Sequence, residues 1–350
     1  MGLPYASELE RLPGTYQWSR QTDVSQLTNF LAGIAESPVC FIGSGGSFTT
    51  AVFASFLHEY YARRLARAST PLESAANFAL ASCPAMFFSA SGKNADIVGA
   101  FCAAARKRPP ALAALCAASQ SPLQELAKEY PFAEYCGYDL PSGGDGFVAT
   151  NSLLMSIVML LKAYSIAFGA ESALPEWDMI AGEYPTQSAT NRWFQQTEEL
   201  WRYPNLLVLH GPAGRPAAVD MESRFHEAAL AAVQVADFRS FGHGRHHWLK
   251  RMHGTTGVLS LESREDEDIA RRTLVLIPES IAQARIRVNA DRPQAAMALI
   301  LASIYLAGRS GIAVNIDPGC PEVADFGRQI ARLNVWNAPA DTHAAMAKIR

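Results

Sequence analysis

The sequence is short of several things that would have fixed its class at once. Only 18% of its 350 residues are charged, and a net charge of −3 gives no general attraction to nucleic acid or to an anionic membrane. Its six cysteines, Cys40, Cys83, Cys102, Cys116, Cys136 and Cys320, include no CxxC pair. Several lie in apolar runs such as ALAALCA, which suits buried reduced thiols better than disulfides or a zinc cage. There is no P-loop Gly-Lys-Ser/Thr, and a GxGxxG dinucleotide reading from Gly43 fails because Ser47-Phe48 stands where the motif needs its third glycine. The first residues, MGLPYASELERLPG, carry no basic stretch followed by an apolar one, so no signal peptide is expected. The two most apolar stretches, Leu153–Leu161 and Ala295–Gly308, fall short of the roughly 20 residues that span a bilayer. The expectation is a soluble cytoplasmic chain with neither nucleic acid nor membrane as partner.

What is present is a globular composition, 49% hydrophobic, in a chain long enough for two domains. Residues 1–36 are polar and helical in places, with Pro4 and Pro13 as punctuation. From Pro38, short apolar strands alternate with longer amphipathic helices. Strands are predicted at VCFIG, within 67–74, at 85–89, 111–116 and 135–140, and briefly at 147–149; a helix starts near Ser152. Residues 171–203, richer in Pro, Glu and Trp, read as the domain connection. The pattern restarts with strands at 206–209, 233–238, 257–261, 273–277 and 285–288, leading into a second apolar helix. Such alternation implies an α/β fold with parallel sheets covered on both faces. The expected division is an N-terminal helical segment (1–36), a first domain (37–175) and a second (176–350).

Two loops concentrate the chemistry. In CFIGSGGSF a strand runs into Gly43, Ser44, Gly45, Gly46 and Ser47 and then a helix near Thr49. Free N–H groups at a helix start, hydroxyl donors and glycines without a Cβ together suit an anion. The second loop, Ser89-Ala90-Ser91-Gly92-Lys93-Asn94, follows the strand AMFFS and repeats the combination, with Asn94 or Asp96 also placed to cap a helix. Ligands of open α/β sheets bind at the carboxyl ends of strands, where both loops fall.

These loops resemble the sugar isomerase (SIS) domain family, whose Gly-x-Gly-x-Ser and Ser-x-Ser-Gly-x-Thr-x-Asp segments cradle a sugar phosphate. Gly43, Gly45 and Ser47 match the first, and Ser89, Ser91, Gly92 and Asp96 the second, with Asn94 where threonine is usual. Val148 and Ala149 in DGFVATNS match a further short family segment. MESRFHEAALAAVQVADFRSFGHG resembles the isomerase half of glucosamine-6-phosphate synthase, itself two SIS domains without a cofactor. The resemblance implies two three-layer α/β/α domains around five-stranded parallel sheets. It makes Glu227 the catalytic carboxylate and His243, sixteen residues on, the histidine of a His-Gly pair, with Arg224 where the synthase has a lysine. It also implies a homodimer with shared sites.

The chemistry agrees with those assignments. Aldose–ketose interconversion moves a proton between neighbouring carbons through an enediol, which one carboxylate can manage as base and then acid. A histidine can open the sugar ring near neutral pH. The phosphate would rest on Gly43–Ser47, Ser89–Gly92 and Asn94, with Val148, Ala149 and Arg224 beside the sugar. The chain has Ala324-Asp325 where the synthase has Ala-Lys and lacks a glutamine-hydrolysing domain, so amidotransfer is disfavoured. The histidines of GHGRHHWLKRMHG have no carboxylate or cysteine beside them, and neither metal nor cofactor is expected. HGPAGR, the matching loop of the second half, has lost its serines, so one phosphosugar site per chain is expected. The reading is therefore a phosphosugar isomerase, or an aminosugar or fructosamine phosphate deaminase or deglycase. A non-catalytic phosphosugar-binding regulatory protein is the alternative.

Overall fold

The computed structural model describes residues 3–76, 78–170, 174–177, 193–333 and 336. Most of the domain connection read from the sequence lies outside these. The chain folds as two compact units. One takes the described residues of Trp18–Gly144, Asn151–Glu171 and Glu322–Arg350. The other takes those of Met1–Gln17, Asp145–Thr150 and Ser172–Pro321. The boundaries are therefore not the linear ones expected: the first turns of the N-terminal helix, α1 (Tyr5–Gln21), and the segment 145–150 group with the second half of the chain.

The first unit opens with the short helix α2 (Ser25–Gly33). It is built on five parallel strands, β1 (Val39–Ile42), β2 (Ala66–Ser69), β3 (Ala85–Ser89), β4 (Leu112–Cys116) and β5 (Ala133–Gly137), in the order β2-β1-β3-β4-β5. Every residue of β1, β3 and β4 is buried, as expected of a parallel sheet covered on both faces. On one face Ile42, Phe87 and Ala114 pack with Ile97, Phe101 and Leu123 of helices α4 (Ala95–Arg106) and α5 (Pro122–Lys128). Helices α3 (Gly46–Tyr61) and α6 (Asn151–Ala167) pack together elsewhere in the unit, where His58 Nδ1 and the Tyr164 hydroxyl pair at 3.1 Å. Residues 147–149 are irregular, with no strand.

Among the described residues the other unit has four parallel strands, β6 (Asn205–His210), β7 (Ala232–Asp237), β8 (Thr256–Ser263) and β9 (Gln283–Val288), in the order β7-β6-β8-β9. Five were expected. Helix α7 (Arg215–Glu227) follows β6, and α8 (His246–Met252) lies between β7 and β8. The strand read at 273–277 is instead the end of helix α9 (Glu267–Leu274) and a turn, in which Val275 and Leu276 are exposed. Helix α10 (Arg292–Val314) packs against α7. With 23 residues, α10 exceeds the stretch read from the sequence and is long and apolar enough to cross a membrane by length and composition alone. It is 72% buried over its most apolar window, the condition of a core helix. All six cysteines are free thiols.

Candidate active site

Glycine shapes the loop after β1. A Cβ on Gly43 would lie 2.0 Å from the Ser47 carbonyl oxygen, so the chain can fold back on itself only with glycine there. Gly45 caps α3 at φ +56°, ψ −132°, a region that side chains rarely enter. The helix consequently begins at Gly46, three residues before the sequence reading. Gly43 N–H donates to the Ser69 carbonyl and Ser47 N–H to the Ser44 carbonyl. The N–H groups of Ser44, Gly45 and Gly46 and the hydroxyls of Ser44 and Ser47 have no hydrogen-bond partner among the described residues. A concave run of free donors at a helix start is an anion cradle.

The loop after β3 is more tightly bonded. Ser89 is buried and its Oγ accepts from Gly92 N–H at 3.0 Å, while Ser91 Oγ accepts from Lys93 N–H at 3.2 Å. Gly92, at φ +64°, leaves no room for a Cβ beside the Ser121 hydroxyl. Asn94 is the N-cap of α4, its Oδ1 accepting from the N–H groups of Asp96 and Ile97. Asn94 therefore has its oxygen committed to the helix, while Ala90 and Ser91 are exposed. Ile42 is level with Phe87 in the β1–β3 pairing, so the two loops leave adjacent strands at the same edge. The chain turns from β1 to β2 on one side and to β3 on the other. This is the topological switch point at which open α/β sheets bind ligands. Seven expected phosphate contacts from two distant stretches of sequence are thereby brought together: Gly43, Ser44, Gly45, Gly46 and Ser47 with Ser89 and Ser91.

Val148 and Ala149 belong to the other unit. Their segment is pinned there: Phe147 N–H donates to the Gly319 carbonyl at 3.1 Å, and Thr150 Oγ1 bonds both Glu8 and Asp145. Glu8 also accepts from Gly146 N–H, and burial pushes its carboxyl above the ordinary range.

Glu227 is the last residue of α7, which stops as Ala229 turns left-handed at φ +54°. Its Oε1 accepts from the Ser223 hydroxyl at 2.6 Å, one turn earlier. The residue reaches solvent, yet enough protein surrounds the carboxyl for burial to raise its pKa, against the lowering effects of Ser223 and Arg224. His243 lies on a π-helical turn, Phe241–Arg245, between two anchors in the core, Phe241 and Leu249. Gly244 at φ +120° breaks the helix beside it, and the exposed His243 side chain makes no hydrogen bond among the described residues.

Arg224 departs from the expectation of a sugar contact. It is 3% exposed, and its Nε and Nη2 bind both oxygens of Asp220 at 2.9 Å, while Nη1 donates to the Tyr5 hydroxyl at 3.3 Å. Burial works against the guanidinium charge and Asp220 outweighs it, so the pKa is raised. Asp220 also accepts from Ser303 of α10, and Tyr5 donates to the Ile304 carbonyl at 2.8 Å. Arg224 is thus an internal strut tying α7 to α10. The spacing Asp220–Arg224, i and i+4, was the sequence signal for it. Asp325, standing where the synthase has lysine, opens a short helix and pairs with Arg328 at 3.4 Å.

The two sheets define a fold class, the α/β architecture found in solved enzymes of sugar-phosphate metabolism. In particular, glucosamine-6-phosphate deaminase from Thermotoga maritima matches with a TM-score of 0.72 at 17% identity, over 92% of this chain and 98% of that one. Tagatose-6-phosphate ketose/aldose isomerase from Escherichia coli matches at 0.65 and 16%, over 92% and 98%. The C-terminal domain of glucosamine-fructose-6-phosphate aminotransferase from Francisella tularensis matches at 0.65 and 14%, over 89% and 97%. No family model matches the sequence. No curated protein matches it either.

Proposed function

We propose that the chain is a cofactor-independent enzyme acting on a phosphorylated sugar or aminosugar, an isomerase or a deaminase. The observation that carries this reading is the pair of Ser/Gly loops at the β1/β3 switch point, with free N–H groups and hydroxyls on Ser44, Gly45, Gly46 and Ser47. A phosphate monoester matches such a cradle in charge and in its need for several donors. The solved proteins of like fold are named for reactions at such substrates, including a deamination and a ketose/aldose interconversion.

In this reading Glu227 is the base that takes the proton from C2 of the open-chain sugar and returns it at C1. The raised pKa serves that cycle, since the carboxyl must accept a proton and release it again. His243, exposed and unbonded on its turn, opens the ring. No step draws on an electron acceptor, because proton transfer through an enediol conserves oxidation state overall. In this reading the protein works as a homodimer in the cytoplasm, and Asp325, where the synthase has a lysine, speaks for isomerisation or deamination over amide transfer.

The test is solvent exchange. In D₂O with a panel of hexose and hexosamine 6-phosphates, the native protein is expected to incorporate deuterium at C1 or C2 of its substrate. Glu227→Gln is expected to lower the exchange rate at least about 1,000-fold while leaving binding within a few-fold, as for loss of an essential general base. Binding without exchange by the native protein for every sugar phosphate tried would leave a phosphosugar-binding regulator as the answer.

A further inference from the structure

The order β7-β6-β8-β9 repeats, in the other unit, the arrangement that makes β1/β3 a switch point, and here the corresponding point falls between β6 and β8. Its loops are not those of the first sheet: HGPAGR follows β6 and carries no serine. Yet a cavity of about 670 Å³ opens at this place, lined by His210, Gly211 and Arg215 after β6, Arg239 and Arg245 after β7, and Asp266 after β8. We propose that this cavity is a second ligand site, independent of the Ser/Gly loops, for the phosphate monoester of a small hydroxylated molecule.

Three features carry the assignment. The first is the charge left over once internal pairings are made. Asp266 accepts from both the N–H and the hydroxyl of Ser263, at 3.1 and 2.6 Å, and its carboxyl fills the space a Cβ on Gly211 would need. Asp237 caps the turn after β7, accepting from the N–H groups of Arg239 and Ser240. Each carboxylate thus has one oxygen engaged, and with three arginines against these two carboxylates the cavity lining carries a positive excess. Arg245 donates to the Val235 carbonyl at 3.1 Å, whereas the exposed guanidiniums of Arg215 and Arg239 have no hydrogen bond or ion pair among the described residues. Two free guanidiniums over one cavity suit a phosphate, which takes two or three such donors.

The second feature is His210. Its side chain is 7% exposed, its Nδ1–H donates to the Gly211 carbonyl at 2.8 Å, and Nε2 has no partner among the described residues. Burial lowers its pKa, so the ring is neutral and Nε2 is a hydrogen-bond acceptor within the cavity wall. An acceptor cannot serve phosphate oxygens; it suits a hydroxyl on the same molecule. The third feature is the loop backbone. A Cβ on Gly214 would stand 2.9 Å from the Leu261 carbonyl and 3.1 Å from His210 Cβ, so glycine lets HGPAG pack down on β8 and holds the imidazole in place.

The site is read by amide hydrogen exchange on the full chain, with fructose 6-phosphate, inorganic phosphate and fructose as separate probes. Fructose 6-phosphate is expected to slow exchange in peptides covering 210–215 and 237–240, which exclude His243. In the Arg215→Ala/Arg239→Ala variant that protection should require at least about tenfold more ligand, as for losing charge-assisted contacts. Both arginines are exposed, so the variant is expected to keep the native melting temperature. His210→Phe should weaken fructose 6-phosphate at this site and leave inorganic phosphate unchanged. Protection confined to 43–47 and 89–94 would overturn the second site while supporting the proposed function. Protection at 210–215 alone would do the reverse. Equal protection by inorganic phosphate and fructose 6-phosphate would overturn the hydroxyl-bearing ligand.

Discussion

Glu227 and Arg224 lie three positions apart on one helix, and burial treats them differently. For Glu227 the cost of a charge outweighs its local help, so the carboxyl is raised, and the Ser223 hydroxyl is among the contacts that hold it down. A base acts only when ionised, so in the proposed reaction the rate climbs as pH rises through the Glu227 pKa. Removing the hydroxyl in Ser223→Ala takes away a stabiliser of the ionised form, and the acid limb of kcat/KM should move to higher pH. Below the limb the rate is expected to fall roughly fivefold, the equivalent of a hydrogen bond of about 1 kcal/mol, with the high-pH plateau unchanged. A pH–rate profile that does not move, or moves down, would separate Ser223 from the base. Glu227 was singled out because the resemblance places a glutamate sixteen residues before a His-Gly pair, a pattern of types and spacing. For Arg224 the i, i+4 spacing to Asp220 was legible, but its burial was not, because Tyr5, which it bonds, and Ser303, which bonds Asp220, are remote in sequence.

Elements were legible where period and burial agreed. The short runs of β1, β3 and β4, apolar but for Ser89 and buried throughout, are strands inside a parallel sheet. TLVLI at 273–277 has the composition of a strand, yet the helix that begins at Glu267 continues to Leu274, burying Ala270 and Leu274, and a turn follows. The strand that completes the pairing is QARIRV, whose alternation of buried and open positions is the better signal. The contact between α7 and α10 is an element-scale feature with a measurable cost. Arg224→Ala would leave Asp220 buried beside Ser303 without its countercharge, and a loss of about 3–5 kcal/mol in urea unfolding is expected. Arg224→Lys keeps a charge but gives up the two-pronged contact with Asp220, so an intermediate loss is expected. Wild-type stability in Arg224→Ala, with KM alone altered, would return Arg224 to the substrate.

At the scale of the whole molecule, the sequence conveyed two α/β halves but not which residues each half owns. Alternating strands and helices are a local signal, whereas the grouping of residues 1–17 and 145–150 with the second half rests on bonds between distant positions, such as Glu8 to Gly146 and Tyr5 to Asp317. The same distance effect hid the cavity after β6, whose guanidiniums come from Arg215 and Arg239 on separate loops. A ligand held at the β1/β3 loops, by contrast, should register in the stability of the chain through linkage. At 100 times its Kd, a phosphosugar that binds only the folded state adds about 2.7 kcal/mol, enough to raise Tm by several degrees. In the Arg215→Ala/Arg239→Ala background, which removes any contribution from the second cavity, that shift is expected to persist. Adding Ser47→Ala and Ser89→Ala should abolish it at the same ligand concentration, while Glu227→Gln should leave it intact. The unphosphorylated sugar should produce no shift at all, and an equal shift from it would mean that the glycine and serine loops do not bind through the phosphate.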